Sequence, residues 1–475
     1  MKTSSLLVAI GLVFFSTLLI KPHAVELAAL ASMGSSPAVS SHGSQDCGGE
    51  PCDGVIRGLV AFFDRKLEGL DGNGRACADC HMATDNFQLS PASVEARFQL
   101  LQRRLRRNPD ADDPLFRAID ADDFRINGEN ASDFSNLRQN GLVRIMFPLP
   151  SNIWLIDPVT NLPSSEAFVD VWRSVPTVND VTLTGPDSGI LWPRGPNETG
   201  GYQLDARVAT LQEQALGAFT NHAQVHTTPS QRLLDDLSSF QRVLFTNHRV
   251  RALSDAVREG TTPLPDPNSP LTALEQQGKA VFERACMQCH GDTGLSTPQA
   301  TPQAPPAPVI RFHNIFSQCP RPVDTATPAR FAFAACTSQL ARNVRTYEIA
   351  LSVPTPGPSG ILPAGTRVRR TSSDPGRALL TGFVGGPAPR DDWEKFDVPG
   401  LRGISKTAPY FINNSAATLE EMLDHYDALF KRAEVNFVPG PTAVVPPIAT
   451  TDGVHFDRAP LPEERQALLA FLRKL

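Results

Sequence analysis

Two pentads, Cys77-Ala78-Asp79-Cys80-His81 and Cys286-Met287-Gln288-Cys289-His290, constrain this chain more than any other feature. Each has the spacing of a c-type haem attachment site. Thiols three residues apart can reach one face of a single macrocycle and add across its vinyl groups, and the adjacent histidine can reach the iron as fifth ligand. One pentad alone also matches half of a zinc site. Two in one chain, each with a helical stretch upstream, imply two covalently bound haem c groups.

The amino terminus points to export. Lys2 precedes a charge-free, largely apolar run from Leu6 to Ile20, followed by Lys21-Pro22 and small residues. That is the layout of a secretory signal, expected over residues 1–24, with cleavage after Ala24 or near Ala29-Leu30-Ala31. The run is short for a spanning helix. Covalent haem c is attached outside the cytoplasm, so the expected location is the periplasm. Charged residues make up 20% of the chain and the net charge is −6, which leaves no basic footprint for nucleic acid. Four of the eight cysteines lie outside the pentads. In an oxidising compartment they are expected to pair locally, Cys47 with Cys52 and Cys319 with Cys336, although four cysteines allow three pairings.

The two halves repeat a theme. Val55 to Phe63 has helical apolar spacing upstream of the first pentad, and Leu271 to Arg284 has it upstream of the second, with Gly278 and Phe282 on one face. Leu461-Pro462-Glu463-Glu464 opens a terminal amphipathic helix, expected to pack across the helix before the second pentad. The proline-rich stretch Thr261 to Pro270 separates a first domain at 45–260 from a second at 271–475. The 42 prolines and 33 glycines predict long loops between modest helices. Residues 296–309, with five prolines, read as a loop over the second haem, and 101–170 and 310–370 read as insertions. The expected fold is mainly α: two cytochrome c-like haem domains with long irregular loops and insertions.

Beyond the pentads, three groups of strings carry a resemblance. The first is Pro176-Thr177-Val178, then Gln203-Leu204-Asp205-Ala206-Arg207 and Leu211-Gln212-Glu213-Gln214-Ala215-Leu216-Gly217. The second is Ser373-Asp374-Pro375-Gly376-Arg377 with Phe396-Asp397-Val398-Pro399-Gly400-Leu401-Arg402-Gly403. The third runs from Thr407-Ala408-Pro409-Tyr410-Phe411 to Ser415-Ala416-Ala417-Thr418-Leu419-Glu420-Glu421. In this order around the pentads, they resemble the bacterial di-haem cytochrome c peroxidase and MauG superfamily. The resemblance covers most of both haem domains, but neither insertion nor the first fifty residues.

The resemblance implies an enzyme of peroxidase type, a periplasmic di-haem oxidoreductase that activates hydrogen peroxide at the His81 haem and shares electrons or oxidising equivalents with the His290 haem. Its expected partners are peroxide or oxygen and a small periplasmic electron donor, a cytochrome c or cupredoxin; some relatives form homodimers. It also implies site residues. Gln203 and Glu213 take the places of the family's distal glutamine and glutamate, and a carboxylate with raised pKa in an apolar pocket can take and return a proton. Trp192 lies near the place of an inter-haem tryptophan. Asn179 or Asp180, with Thr407 and Pro409, matches a calcium site built from hard oxygen ligands.

The departures are as informative. The family places a ligand histidine just before the Pro-Thr turn; here no histidine lies between His81 and His222, and the aligned position is Trp172. The first iron is then open, or closed by a weaker ligand such as Met146. At the second haem, the place of the family's ligand methionine falls on Tyr426, as in MauG-like proteins, with His425 and Met422 as neighbouring alternatives. A phenolate there favours ferric iron. Ile412 stands where the family has a further histidine. Two other functions stay open: a MauG-like enzyme or oxygenase acting on a protein or organic substrate, and a non-catalytic di-haem electron carrier.

Overall fold

A computed structural model of the chain describes residues 46–117, 134–185, 201–290, 312–313, 315, 338–357, 360–386, 391–435, 448–449, 455–456 and 460–475. In chain order its main helices are α1 (Cys52–Phe63), α2 (Pro91–Leu105), α3 (Leu211–Asn221), α4 (Gln231–Arg242), α5 (His248–Glu259), α6 (Ala273–Ala285), α7 (Leu419–Val435) and α8 (Arg465–Lys474). Several begin at a side-chain cap. Ser90, Thr210, Ser230, Asn247 and Thr272 each accept a backbone N–H from the first turn of α2, α3, α4, α5 and α6. Such caps fix helix starts at about 1 kcal/mol each.

The repeat seen in the sequence becomes a repeated helix crossing. α4 lies across α1 so closely that a Cβ on Gly58 would stand 1.9 Å from the Asp236 carbonyl oxygen and 2.9 Å from Phe240 Cβ. α8 lies across α6 in the same register: a Cβ on Gly278 would stand 1.9 Å from the Ala467 carbonyl oxygen and 2.8 Å from Phe471 Cβ. One turn after each glycine comes a buried phenylalanine. Phe62 packs on Phe240 with ring centroids 5.2 Å apart, and Phe282 on Phe471 at 5.3 Å. The terminal helix therefore crosses the helix expected from the sequence. In the first half α4, an internal helix, takes that place.

Between α5 and α6 the chain turns at Gly260, with φ +67, and runs through 261–270 without helix or strand. The halves are parts of one compact unit, His42–Leu475. Backbone carbonyls of the second half accept from side chains of the first: Lys406 from Asn86 at 2.9 Å and Ala408 from Gln88 at 3.0 Å. Ser174 N donates to the Ile412 carbonyl at 2.6 Å.

The two stretches read as insertions fold against each other. Strands β1 (Leu142–Pro148), β2 (Ile153–Leu155) and β3 (Phe168–Ser174) come from the first, and β4 (Arg345–Ala350) and β5 (Arg367–Ser372) from the second. β1 pairs antiparallel with β3 from Leu142↔Ser174 to Pro148↔Phe168. β4 is central to a three-stranded sheet, pairing with β2 through Ile153↔Ile349 and with β5 through Val368↔Ile349. Phe147, Ile153, Val169, Val171, Tyr347 and Ile349 are buried in one shared core. Two- and three-stranded pieces cannot bury an apolar face alone, and each gives the other a partner.

Cys47 and Cys52 form the disulfide expected between them. Cys319–Cys336, residues 1–24 and the 296–309 loop lie outside the described residues. Among the described residues no helix is long and apolar enough to cross a membrane.

Because backbone meets backbone at Gly278, Gly278→Ala should lower the thermal midpoint by the equivalent of about 1–3 kcal/mol or more. An unchanged melting curve would show that the α6–α8 crossing is not under this constraint.

Candidate functional site

Both pentads fold as one helical turn closed by the same pair of bonds. Cys80 N and His81 N donate to the Cys77 carbonyl at 3.2 and 2.9 Å; Cys289 N and His290 N donate to the Cys286 carbonyl at 3.1 and 3.0 Å. Within the first turn Asp79 is buried, accepts from Ala76 N at 2.9 Å and pairs with Arg65 and Arg97, which ties the turn to α2. None of the four pentad cysteines is in a disulfide. Burial pushes the Cys77 and Cys286 thiols up to about 12. Among the described residues no group of three His, Cys, Asp or Glu side chains is placed to hold an ion.

The two histidines are held alike. His81 Nδ1 lies 3.0 Å from the Phe87 carbonyl oxygen, and His290 Nδ1 lies 3.1 Å from that of Pro399. A carbonyl only accepts, so Nδ1 carries the proton in each ring and Nε2 carries the lone pair. This is the usual arrangement of a metal-binding histidine, whose second nitrogen is oriented by a backbone acceptor. Burial lowers the pKa of His81, against the opposing pull of the Phe87 and Pro176 carbonyls.

Beside His81 lies a cavity of about 110 Å³. α3 lends Gln214, Ala218 and His222, spaced four apart on one face, and the β1–β3 ribbon lends Val143, Ile145 and Arg173. Cys77, Cys80 and the buried Arg75 complete the wall around the histidine, and Arg75 donates to the carbonyls of Pro114 and His222. A largely apolar hollow with two thiols, an oriented imidazole and a buried guanidinium fits an apolar macrocycle that carries carboxylate groups.

Strand alternation decides which neighbours face this hollow. Val143 and Ile145 point in. Met146, the alternative ligand, points away and is 62% exposed. Trp172 likewise turns away, buried with Leu142, Leu340 and Val344, while its neighbour Arg173 occupies the wall. Gln203 lines the cavity with backbone φ +74, a left-handed conformation uncommon for a side chain of this kind. Glu213 is placed otherwise than expected. It is exposed at the start of α3, where its carboxylate accepts the Ala209 N–H at 3.0 Å, and the adjacent Gln214 faces the cavity instead. The sequence carried the signal for this: Leu211, Ala215 and Phe219 mark the buried face of α3, and residue 213 falls off it. His222 was not singled out in the sequence; it joins the wall through the same periodicity.

Arg173 is 1% exposed and sits in a buried ion network. It grips Asp374 twice, through Nε at 2.6 Å and Nη2 at 3.1 Å, and Asp205 through Nη1 at 2.5 Å. Arg207 also holds Asp205, at 2.8 and 2.9 Å. Burial alone would raise the Asp205 pKa, and Arg173 and Arg207 overcome it and hold the carboxyl below its usual value. Asp205 follows Gln203 in the chain by two residues, so the network pins the loop that presents Gln203.

At the second pentad, α7 brings Tyr426 beside the cysteines. Burial first, then the Cys289 and Cys286 sulfurs, push its phenol well above the ordinary range. His425 turns away: its ring is buried, Nε2 donates to the Ile315 carbonyl at 2.6 Å, and desolvation lowers its pKa to about 4. Met422 is buried in the core shared by α6, α7 and α8. Tyr426, like Cys286, packs against that same core. Trp192 lies outside the described residues.

Asp180 is buried at a second hollow that reaches from His81 to Pro399. Its carboxylate accepts from Thr246 N at 2.9 Å and from the Thr246 hydroxyl, and the Arg402 charge acts on it. Thr407 and Pro409 are not among the residues lining that hollow. The structure gives Asp180 a hydroxyl and a cation for company, and Asn179 lines the same hollow.

No protein-family model and no curated protein matches the chain. Among solved structures it is similar to a MauG-like protein associated with microbial copper homeostasis, at 18% identity and TM-score 0.39 over 89% of this chain and 88% of that one. It is similar to the diheme peroxidase BthA from Burkholderia thailandensis at 15% identity and TM-score 0.39, over 91% and 89% of the two chains. A third similarity is to Kuenenia stuttgartiensis hydrazine synthase, at 14% identity and TM-score 0.35 over 93% of this chain and 97% of that one. At this distance the roles of residues rest on the geometry of this chain alone.

Burial raises the Asp180 pKa from 3.8 to about 6, against the Thr246 hydrogen bonds and Arg402. The folded protein thus holds this proton more tightly than the unfolded chain. Stability from this group is full below pH 3.8 and is lost as pH rises through about 6, a change of about 3 kcal/mol. Asp180→Asn should remove that loss, making the variant more stable than the parent at pH 7 and little different at pH 4 in denaturant titrations. Lower stability of the variant at pH 7, with the difference abolished when calcium chelation destabilises the parent, would instead mark Asp180 as an ion ligand.

Proposed function

We propose that this chain is a periplasmic di-haem c-type oxidoreductase that reacts with hydrogen peroxide in the cavity beside His81. Cys77, Cys80 and His81 would hold one haem, and Cys286, Cys289 and His290 the other, with Tyr426 facing the second as its further ligand. Residues 1–24 would direct export, and a small periplasmic cytochrome c or cupredoxin would supply electrons. The observation that carries this reading is a pair of alike histidines in unlike surroundings. One faces a hollow lined by three amides and two arginines, and the other has a tyrosine packed against the same core as its first cysteine.

When bound, haem supplies one-electron redox chemistry and an iron site for an oxygen ligand. The chain supplies the rest. Phe87 and Pro399 fix the imidazole tautomers. Val143, Ile145 and Phe219 make the wall apolar, which strengthens each hydrogen bond made inside it. The amides of Gln203 and Gln214 can orient peroxide. Apart from His81, His222 is the group on the described wall able to take a proton from one peroxide oxygen and return it to the other.

Tyr426 favours a MauG-like second reading, in which the oxidising equivalents are directed at a protein side chain or an organic substrate. A phenolate holds iron in the ferric state, which suits storage of an oxidising equivalent better than routine relay of electrons.

The purified protein should contain two haems by pyridine haemochrome assay, and Cys80→Ala or Cys289→Ala should each leave one. Its ferric absorption spectrum should combine high- and low-spin components, with Tyr426→Phe changing only the latter. Rapid turnover of peroxide with reduced cytochrome c supports the peroxidase reading. A peroxide-driven spectral change without turnover supports the MauG-like one. A purely low-spin spectrum, inert to peroxide, leaves a plain electron carrier.

A further inference from the structure

Arg173 has chemistry left over from its structural role. A guanidinium carries five N–H donors in a rigid fork. Three are used by the bonds from Nε, Nη1 and Nη2 to Asp374 and Asp205, which leaves one donor on Nη1 and one on Nη2. The planes of the group are covered, since Phe147 lies 4.7 Å and Phe396 5.5 Å from its central carbon. The cavity beside His81 is where Arg173 meets open space, and Gln203 shares that wall. Two arginines and two aspartates make the network neutral in sum, so it adds no uncompensated charge to the interior. The fork keeps its charge at any working pH.

We propose that Arg173 is the anion-binding group of this cavity and selects small monoanions, among them the deprotonated form of hydrogen peroxide, over neutral ligands of similar size. This rests on the reading of the His81 cavity as an open haem site. The two carboxylates act as positioning groups, Asp205 from the first half and Asp374 from the second, and hold the fork with its remaining edge towards the hollow. An incoming anion finds a preorganised charged donor in a poorly solvated place, where such bonds are about twice as strong as neutral ones. A bridge serving only to join the halves would not need an arginine on the cavity wall.

Fluoride titration of the ferric holoprotein, followed by absorption, tests this, with carbon monoxide binding to the reduced protein as the neutral control. Arg173→Gln should weaken fluoride about 10- to 100-fold, the value of one charge-assisted hydrogen bond, and leave carbon monoxide within about threefold. Arg173→Lys keeps the charge but cannot grip both carboxylates and still reach the cavity, and it should fall between the two. It serves as the second variant if the glutamine protein is too unstable to purify. Unchanged fluoride affinity in the variants overturns the proposal, and so does a parallel loss of fluoride and carbon monoxide, which marks a collapsed cavity. If the parent protein itself responds to neither fluoride nor peroxide, the open-site reading fails first.

Discussion

Two helices can cross with backbone against backbone only where one of them lacks a Cβ. That condition is met twice here, at Gly58 and Gly278, and much of the architecture follows from it. Each crossing sets a phenylalanine one turn along against a phenylalanine of the partner helix, in the same register in both halves. α6 then runs straight into Cys286, so its pentad is anchored to the crossing by covalent continuity. The first pentad stands thirteen residues beyond α1 and needs another anchor. Asp79, inside the pentad, supplies it by pairing with Arg65 and with Arg97 of α2. One attachment turn is thus held by packing and the other by buried charge.

The same contrast runs through the contact between the halves. Asn86, Gln88 and Ser174 cross it through hydrogen bonds to backbone carbonyls, which position without much net gain in free energy. Arg173 with Asp374 is different. Burying these charges is costly, and breaking the pair would leave an unpaired charge in the interior, at about 3–5 kcal/mol. A joint of this kind does little for overall stability but tolerates few alternative arrangements. It suits a place where a side chain must face a cavity in one orientation.

Legibility in the sequence followed the range of the interactions. The pentads, the Gly-Phe helix faces, the Cys47–Cys52 pair and the terminal helix are local patterns, and the structure contains each of them. The β platform was invisible because β4 finds β2 nearly two hundred residues away in the chain, and neither strand is informative without the other. At the site, the facing side chains follow from which face of a strand or helix is buried: Arg173 lines the wall beside the outward-turned Trp172, and Gln214 lines it beside the exposed Glu213. His222 was missed for another reason: the search for a ligand looked upstream of the Pro-Thr turn, and α3 brings its histidine in from downstream.

The asymmetry between the centres can be traced to these supports. The second histidine leans on Pro399, on a segment that also borders the hollow containing Asp180 and Arg402, and its cysteines lie against Tyr426 of a seventeen-residue helix packed into the α6–α8 core. A ligand carried by such a helix is difficult to displace. The first histidine instead faces residues drawn from α3, from the Gln203 loop and from the β1–β3 ribbon, from which Trp172 turns away. Nothing in that wall except Gln203, Gln214, His222 and the charged Arg75 and Arg173 offers a polar side chain besides the pentad and Ser174 and Gln241, and none of these is a methionine. Met146 could reach that wall only if its strand shifted by one residue and turned Val143 and Ile145 outwards. The register of β1 against β3 is thus what turns Met146 away from the first histidine.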